Sequence, residues 1–413
     1  MKKAVVIGLA FGIAEALLAS EGKLEHTSAL RHWDITALNR IPRVHRMPMM
    51  DTNGVEAVMI ESVPWKGKPT RAFAYVAAPA SAKTGTTVPG VVLVHGGMST
   101  ASADWVSWWR DHGYAAIAAD NCGGLPIAEK DGSWRRHDFS GPCGWGRFST
   151  CDEPIQDQWF YHAVAINILA QSYLGSRDGV DPSRIGLVGA SWGGLLSCVI
   201  ASVDSRFKFA VPVFGCGYLD MHRFISWRLG LQGATKEQGD KWLALWDPAL
   251  FLPDVKCPLL WVDGTNDFHF QLDMVARSAA LTKDSAFATI IRLPHSDVGA
   301  RRLEILAFAD YYVRGGSDIV RISNARLEKG VLSAAFSANG RPVVAAKLVW
   351  TESSDDKWED RPYVARDADL FDVVAGLISA HVPQFATVCY LAIETADGLV
   401  SSTPSFFPQA KGY

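Results

Sequence analysis

The sequence lacks several features that would mark whole classes of protein. It has no long basic run and no basic patch interleaved with aromatic residues, and 40 Lys and Arg against 43 Asp and Glu leave a net charge of -3. Nucleic acid is therefore not an expected partner. Beyond the N-terminus, no apolar stretch is long enough to span a bilayer. The chain also has no internal repeat and no low-complexity tract.

Cysteine is scarce, and its spacing does not suggest a metal site. The chain has seven cysteines, so at least one is unpaired or pairs between chains. No CxxC or HxxxH spacing occurs, and we expect neither a metal nor another cofactor. The only candidates for a disulfide bridge are Cys143 and Cys151, which lie in the Gly-rich loop "GPCGWGRFSTC".

The first twenty residues have the layout of a secretory signal. The stretch "MKKAVVIGLAFGIAEALLAS" has a basic start, an apolar run and small residues near Ala19 and Ser20. Glu15 interrupts the apolar run, and the alternative is an amphipathic N-terminal helix. We predict a signal peptide over residues 1–20 and export to the periplasm or the exterior, with a cytoplasmic location as the alternative.

The remaining pattern predicts an α/β domain followed by an all-β domain. Short apolar runs ending in Gly, Pro or Asp alternate with helical patterns from "PGVVLVHGG" to "FATIIRLP", as expected for a mostly parallel sheet covered by helices. We place this domain at residues 21–316, with an aromatic-rich insert at about 217–256 that predicts a small helical cap. Short strands over residues 317–413 predict a C-terminal sandwich.

A serine between glycines interrupts one of these strands. In "GLVGASWGG", residues 186–194, a buried strand breaks at Ser191 and an apolar helical segment follows. This is the pattern of a nucleophile elbow, in which Gly189 and Gly193 are required because larger side chains would collide in a strained turn. The alternative is an ordinary strand-to-helix loop.

The order of residues along the chain shows whether a histidine is available to act as the general base for this serine. In such a site the nucleophile is followed by an acid and then by a histidine, each from a loop at the carboxyl end of a strand. Three histidines follow a suitable acid. His381 falls in the all-β region, and His269 is only two residues from Asp267. His295, in the loop after "FATIIRLP", is the predicted base.

Two aspartates in "WVDGTND" are candidates for the acid. Gly264 permits a turn that would project Asp267 toward the base, and we therefore favour Asp267. Asp263 is still at the end of the strand and is expected to bond local backbone amides.

The segment "LVHGGM", residues 93–98, supplies backbone donors for the negative charge that builds up on a carbonyl oxygen. We assign this oxyanion hole to the amides of Gly97 and Trp192. His95 precedes Ser191 in the chain and is expected to brace the loop rather than to act as the base.

With these motifs in place, the sequence resembles the α/β-hydrolases, in the branch of dienelactone hydrolase-like and acetyl xylan esterase-like proteins that adjoins the prolyl oligopeptidases. The resemblance covers roughly residues 55–315 and is most specific in "GASWGGLLSCVIASVDSRFKFAVPVFGCGYL", "DGTNDF" and "LPHSDVG". It places Ser191, Asp267 and His295 at the triad positions. The chain departs from the family in having serine where dienelactone hydrolases use cysteine, and "DNCGG" and Trp192 where the deacetylases carry Arg-Gly-Gln and glutamine.

These observations predict a serine esterase that acts on small-molecule or oligosaccharide esters. Large side chains at Trp192, Met98 and the cap residues Phe224, Trp227 and Leu229 predict a shallow acyl pocket and a preference for acetyl groups. The alternatives are a prolyl oligopeptidase-type serine peptidase and an inactive hydrolase-fold protein that binds carbohydrate. The sequence does not indicate an oligomeric state.

Overall fold

A computed structural model of the chain describes residues 32–83, 85–144, 148–221, 233–296 and 298–409. The predicted signal peptide lies outside these residues, so export stays a prediction. Among the described residues, no helix is both long enough and apolar enough to cross a membrane.

The described chain has one short α-helix before the first strand, and its other α-helices lie between strands. They are α1 Ile35–Leu38, α2 Ala103–Asp111, α3 Trp159–Gly175, α4 Trp192–Val203, α5 Lys236–Trp246, α6 Leu272–Ala280 and α7 Leu303–Arg314.

The strands up to the predicted domain boundary are β1 Val44–Arg46, β2 Glu56–Glu61, β3 Arg71–Ala77, β4 Val88–Val94, β5 Ala115–Ala119, β6 Gly124–Ala128, β7 Trp134–Arg136, β8 Val180–Ala190, β9 Ala210–Val213, β10 Leu259–Gly264 and β11 Ser285–Ile290. The later strands are β12 Arg321–Glu328, β13 Val331–Ser337, β14 Val343–Thr351, β15 Val364–Asp367, β16 Leu370–Asp372, β17 Leu377–His381, β18 Val388–Thr395 and β19 Val400–Ser402.

A single large sheet organises the molecule. Its strand order is β1-β2-β3-β5-β4-β8-β9-β10-β11-β19-β18-β14-β15. The strands from β5 to β11 in this order pair in parallel, and β1, β2 and β3 precede them as antiparallel strands. The carboxyl ends of the parallel strands therefore share one edge, where loops can bring distant residues together. The predicted α/β-hydrolase fold is confirmed.

Burial explains why the central strands are apolar along their whole length. Every residue of β4, β5, β9 and β10 is buried, because helices cover both faces of the sheet. Helix α3 is buried on nearly all sides, and the N-terminal segment covers it: Trp33 Nε1 donates to Tyr161 O at 3.0 Å, and Ser172 Oγ donates to Leu38 O at 3.4 Å.

The C-terminal region is a sandwich, and one of its two layers continues the large sheet. That layer is β19-β18-β14-β15, and the other is β12-β13-β17-β16. Leu332, Leu348 and Leu391 lie in the apolar core between them. Strand β19 joins β11 at the pair Phe287 and Ser402. This continuity was not predicted from the sequence.

The predicted cap is described only in part. Helix α5 follows a capping box at Thr235, and two single 3₁₀ turns, Pro248–Leu250 and Leu252–Asp254, lead to β10. Phe224, Trp227 and Leu229 lie outside the described residues.

The candidate disulfide between Cys143 and Cys151 is not present, and both thiols are free. Cys151 is 2% exposed and packs into the core from the 3₁₀ helix Phe148–Asp152. The segment that holds Cys143 lies instead against the loop after β5, since a Cβ added to Gly123 would lie 3.0 Å from Gly141 N. The two cysteines therefore belong to differently packed segments.

Candidate active site

Ser191 occupies a sharp turn between β8 and α4. Its backbone has φ 58° and ψ -122°, which is the left-handed half of conformational space that side chains with a Cβ rarely adopt. Its amide donates to Val213 O at 2.8 Å, which fixes the turn to the neighbouring strand β9. Both flanking residues must be glycine because neighbouring backbone atoms occupy the space that a Cβ would need. A Cβ would lie 2.1 Å from Gly193 O if added at Gly189, and 1.9 Å from Val94 O if added at Gly193.

Three of the predicted site residues form one hydrogen-bonded line. His295 Nε2 lies 2.9 Å from Ser191 Oγ, and His295 Nδ1 lies 2.5 Å from Asp267 Oδ2. Because a carboxylate only accepts, Nδ1 carries the hydrogen, and Nε2 is left to accept from the serine hydroxyl. The side chain of Asp267 is fully buried, whereas 16% of the His295 side chain is exposed. This arrangement can move a proton from Ser191 to His295.

The loop after β10 holds the Asp267 carboxylate in place. Asp267 Oδ1 accepts from the amides of His269 and Phe270 at 2.8 and 2.7 Å, while Oδ2 faces His295. Gly264 allows this loop to approach the one that carries His295, since a Cβ at Gly264 would lie 2.5 Å from Leu293 O. The backbone amides and the imidazole together stabilise a buried carboxylate that would otherwise be costly.

Asp263 lies apart from this line. Its Oδ1 accepts from Gly264 N at 2.7 Å, as the local role predicted for it requires, and its Oδ2 is buried without a partner among the described residues. Burial, together with the nearby carboxylate of Asp267, raises the pKa of Asp263 well above its ordinary value of 3.8.

The loop after β4 lies directly against the elbow. A Cβ at Gly96 would lie 2.9 Å from Ala190 O, and one at Gly97 would lie 2.8 Å from Trp192 Cδ1. Trp192 is the first residue of α4, in the helical turn whose amides point away from the helix toward its N-terminal end. The structure thus brings Gly97 and Trp192 together beside Ser191, and the oxyanion hole formed by their amides stays a prediction.

A buried polar network supports this loop. His95 is 3% exposed, its Nε2 accepts from Asn121 N at 2.8 Å, and its Nδ1 donates to Gly96 O at 3.0 Å. Burial lowers the pKa of His95, which favours the neutral imidazole that these two bonds require. Asn121 also accepts two hydrogen bonds. Its side-chain Oδ1 accepts from Asn167 Nδ2 at 2.8 Å, and its backbone oxygen accepts from Trp159 Nε1 at 2.7 Å. Asn121, Asn167 and Trp159 carry no local motif that could have identified them.

A cavity of about 220 Å³ opens beside the serine. Its described lining comes from four loops and the start of α2, and contains no Asp, Glu, Lys or Arg. The lining residues are His95, Gly96, Gly97, Ser99, Ser102, Trp105, Ala190, Ser191, Phe214, His295, Ser296 and Ala300. The described lining of the cavity therefore contains no acidic or basic side chain other than its histidines, and the Asp267 carboxylate lies behind His295.

Phe214 and Trp105 are two cavity residues that sequence reasoning missed. The ring of Phe214 stacks on the His295 imidazole, with centroids 4.7 Å apart and an angle of 26° between the planes. Phe214 has φ 49°, an uncommon conformation for a large side chain, at the carboxyl end of β9. Its position after β9, at the same edge of the sheet as Ser191, was the one feature of the sequence that could have indicated a place in the site.

Other residues expected at the site lie elsewhere. The Trp192 side chain is buried and packs on Trp159 and Trp242, and it does not line the cavity. Met98 is 85% exposed, with φ 58°. The shallow acyl pocket therefore cannot be built from Trp192 in the way the sequence suggested, because its ring turns into the core.

Comparison with known families and proteins gives a partial match in sequence. Residues 155–291 match the model of the prolyl oligopeptidase family, a stretch that holds Ser191 and Asp267 but ends before His295. A curated protein of Bacillus subtilis (strain 168), named "Putative hydrolase YtaP", is 38% identical over 60 residues. That alignment covers 14% of this chain and 19% of the Bacillus protein, so it spans about a fifth of that relative's length.

Two solved structures are similar in fold. The acetyl xylan esterase from Paenibacillus sp. R4 matches with a TM-score of 0.54 and 18% identity, over 68% of this chain and 92% of that one. Acetyl xylan esterase 1 from Thermoanaerobacterium sp. JW/SL YS485 matches with a TM-score of 0.51 and 16% identity, over 71% of this chain and 94% of that one. At these identities the likeness establishes the fold.

Proposed function

We propose that this chain, which has the α/β-hydrolase fold, is a serine hydrolase that cleaves carboxylic esters through an acyl-enzyme formed on Ser191. The observation that carries the proposal is the line from Asp267 through His295 to Ser191, at 2.5 and 2.9 Å, beside a neutral cavity. A nucleophile, a base and an orienting carboxylate in this geometry are what acyl transfer requires.

In the proposed reaction, Ser191 Oγ attacks the ester carbonyl while its proton passes to His295 Nε2. The amides of Gly97 and Trp192 stabilise the negative charge on the carbonyl oxygen. When the intermediate collapses, His295 returns the proton to the departing alcohol oxygen and leaves an acyl group on Ser191. Water then attacks the acyl carbon while His295 takes its proton, and His295 returns this proton to Ser191 Oγ as the acid leaves. Asp267 keeps the imidazole in the required tautomer and stabilises its charged form.

The cavity favours a small neutral substrate. Its volume of about 220 Å³ lies below the roughly 300–1,000 Å³ of pockets for drug-sized ligands. Short acyl groups, acetyl above all, fit this limit. We further propose that the alcohol is a carbohydrate or a fragment of one, a class consistent with the fold shared with the two acetyl xylan esterases.

A prolyl oligopeptidase-type peptidase is the second candidate, favoured by the family match over residues 155–291. A peptide with a free amino group close to the scissile bond would bring a positive charge, and the described lining of the cavity has no carboxylate to pair with it. This favours the ester over such a peptide, whereas a peptide cut away from its terminus is distinguished only by the experiment below.

Purified protein offered phenyl acetate, acetylated xylan and a prolyl amide in parallel would test this proposal. We expect turnover of the acetate esters and little or none of the amide. Turnover of the amide at a higher kcat/KM would favour the peptidase. Binding of xylan fragments without turnover of any substrate would favour the inactive carbohydrate-binding protein.

A further inference from the structure

Phe214 packs face to face on the imidazole of His295. The two ring centroids lie 4.7 Å apart, with 26° between the planes. Phe214 is 1% exposed, and both residues line the cavity beside Ser191. The ring of Phe214 therefore covers one face of the imidazole, while Ser191 and Asp267 bind the two nitrogens at its edge.

Three consecutive aromatic residues in the loop after β10 also surround His295, but none packs on it as closely. Phe268 is tilted by 56° at 5.4 Å, and His269 is nearly perpendicular at 5.7 Å. Phe270 is nearly parallel, with 13° between the planes, but its centroid is 6.4 Å away. Of these described rings, Phe214 makes the closest contact with the face of the imidazole.

The hydrogen bonds of His295 fix two atoms of its ring but not the plane of the ring. The imidazole can still tilt about the line through Nδ1 and Nε2, and a tilt turns both nitrogens away from the directions of their hydrogen bonds. A flat ring packed on the face opposes this tilt, because the two rings stay in full contact only while their planes remain close to parallel.

Phe214 adopts an unfavourable backbone conformation to make this contact. Its φ is 49°, in the left-handed region that bulky residues rarely enter. Its amide donates to Val262 O at 3.0 Å, which fixes the end of β9 to β10. Strained backbone of this kind persists only where the surrounding structure enforces it, and it is concentrated at functional sites. The direction of the Phe214 ring is therefore the feature to explain.

Gly299 leaves room for the ring. A Cβ added at Gly299 would lie 2.4 Å from Cε2 and 2.5 Å from Cζ of Phe214. Gly299 begins the single 3₁₀ turn Gly299–Arg301, in the same loop as His295. The loop that supplies the imidazole thus also supplies the bare backbone against which the stacked ring packs, and a side chain at Gly299 would displace that ring.

We propose that Phe214 is a positioning residue for His295, whose imidazole it holds in the plane in which Nε2 meets Ser191 and Nδ1 meets Asp267. The inference rests on the proposed ester hydrolysis. Phe214 takes no part in proton transfer. The imidazole becomes positively charged each time it takes the serine proton, and the π face of Phe214 lies within the distance at which such a face attracts a cation. An aliphatic side chain would supply neither effect.

Phe214→Leu tests this role in the hydrolysis of nitrophenyl acetate. Leucine keeps an apolar side chain on the same backbone but has no flat face. We expect kcat to fall about tenfold while KM stays within about twofold, because a misplaced base slows the chemical steps without removing a contact to the substrate. A raised KM with an unchanged kcat would make Phe214 only a wall of the cavity and would overturn the proposal.

Phe209 provides a matched control at the other end of the same strand. It directly precedes β9, whereas Phe214 directly follows it. Phe209 is fully buried, is not part of the described cavity lining, and also packs against a glycine, since a Cβ at Gly186 would lie 2.0 Å from Phe209 Cζ. Phe209→Leu should lower the free energy of unfolding but leave kcat unchanged. An equal fall of kcat in both leucine variants would indicate a general loosening of the sheet and refute the positioning role.

Gly299→Ala moves the ring of Phe214 without removing it. This change should lower kcat in the wild-type protein, and by a smaller factor when Phe214 is already replaced by leucine, since changes that act through one contact are not additive. The same factor in both backgrounds would mean that the ring does not carry the effect, which contradicts the proposal.

Labelling of Ser191 by a fluorophosphonate separates this inference from the proposed function, because the reagent needs an activated serine but no ester. Ser191 Oγ displaces fluoride from phosphorus while His295 takes the hydroxyl proton. If the wild-type protein cleaves no ester but is labelled, and Phe214→Leu is labelled about tenfold more slowly, the ester proposal fails and the positioning role stands. If Phe214→Leu is labelled as fast as the wild-type protein, or if the wild-type protein is not labelled at all, the positioning role is wrong.

Discussion

His295 Nε2 lies 2.9 Å from Ser191 Oγ across 104 positions of the chain. The distance depends on the loops that follow β8 and β11, two parallel strands with β9 and β10 between them, and on the strained backbone of Ser191, whose φ is 58°. Strain of this kind persists only where the surrounding structure enforces it. The elbow and its glycines are therefore as important to the proposed chemistry as the side chains are.

Gly193→Ala should destabilise the protein by about 3 kcal/mol or more, at the upper end of overpacking effects. The reason is that the added methyl would lie 1.9 Å from Val94 O, a backbone atom of a buried strand that cannot move aside. Urea unfolding measures the change. Gly141→Ala is the control, because its added Cβ would lie 3.5 Å from His162 Nδ1, which is ordinary van der Waals contact. Equal losses in the two variants would refute this reading of the elbow.

Asp267→Asn should lower kcat for ester hydrolysis about 10⁴-fold, because the amide no longer holds His295 in the tautomer that accepts from Ser191. Steady-state kinetics with phenyl acetate measures the effect. Asp263→Asn is the matched control, since Asp263 is buried four residues earlier and bonds Gly264 N rather than His295. A larger loss of kcat in the Asp263 variant would transfer the orienting role to that residue.

The raised pKa of Asp263 should make the stability of the protein depend on pH. Its pKa is raised in the folded protein by burial, so the folded chain keeps a proton that the unfolded chain begins to lose near pH 3.8. The free energy of unfolding should then fall as pH rises from that value toward the raised pKa. Asp263→Asn cannot ionise and still offers Gly264 N an acceptor, and it should flatten the fall. Unfolding curves from mildly acidic to neutral pH check this, and parallel curves for the two proteins would contradict it.

Acyl chain length gives a further prediction. A cavity of about 220 Å³ has little room for a long chain, and forcing one in should cost roughly ten- to a hundredfold in kcat/KM. Nitrophenyl acetate should therefore be hydrolysed better than the octanoate. If octanoate equals or exceeds acetate, an open lipase-like groove replaces the small site in this account.

Local motifs and chain order sufficed to predict the residues that the structure brings together as Asp267, His295 and Ser191. Each lies at the carboxyl end of a buried strand, and these ends share one edge of a parallel sheet. The same reasoning predicted the hydrolase fold, because its strands are apolar along their whole length.

Features that depend on packing between distant segments could not be predicted in this way. The sequence does not show whether the Trp192 ring faces the cavity or the core, and the structure turns it toward Trp159 and Trp242. The position of Trp105 beside the cavity could not be predicted for the same reason, because a tryptophan in a helix packs equally well into the core. The link between β11 and β19 rests on one residue pair, Phe287 and Ser402, far apart in the chain.

The central claim is that Ser191 carries the acyl group during turnover. Protein mixed with nitrophenyl acetate, quenched in acid and digested, can be analysed by mass spectrometry for the acetylated peptide. We expect the acetyl group on Ser191, its absence in Ser191→Ala, and its accumulation in a variant of His295 that still acylates but deacylates slowly. Acetylation of another residue in an active enzyme, or full ester hydrolysis by Ser191→Ala, would contradict the account.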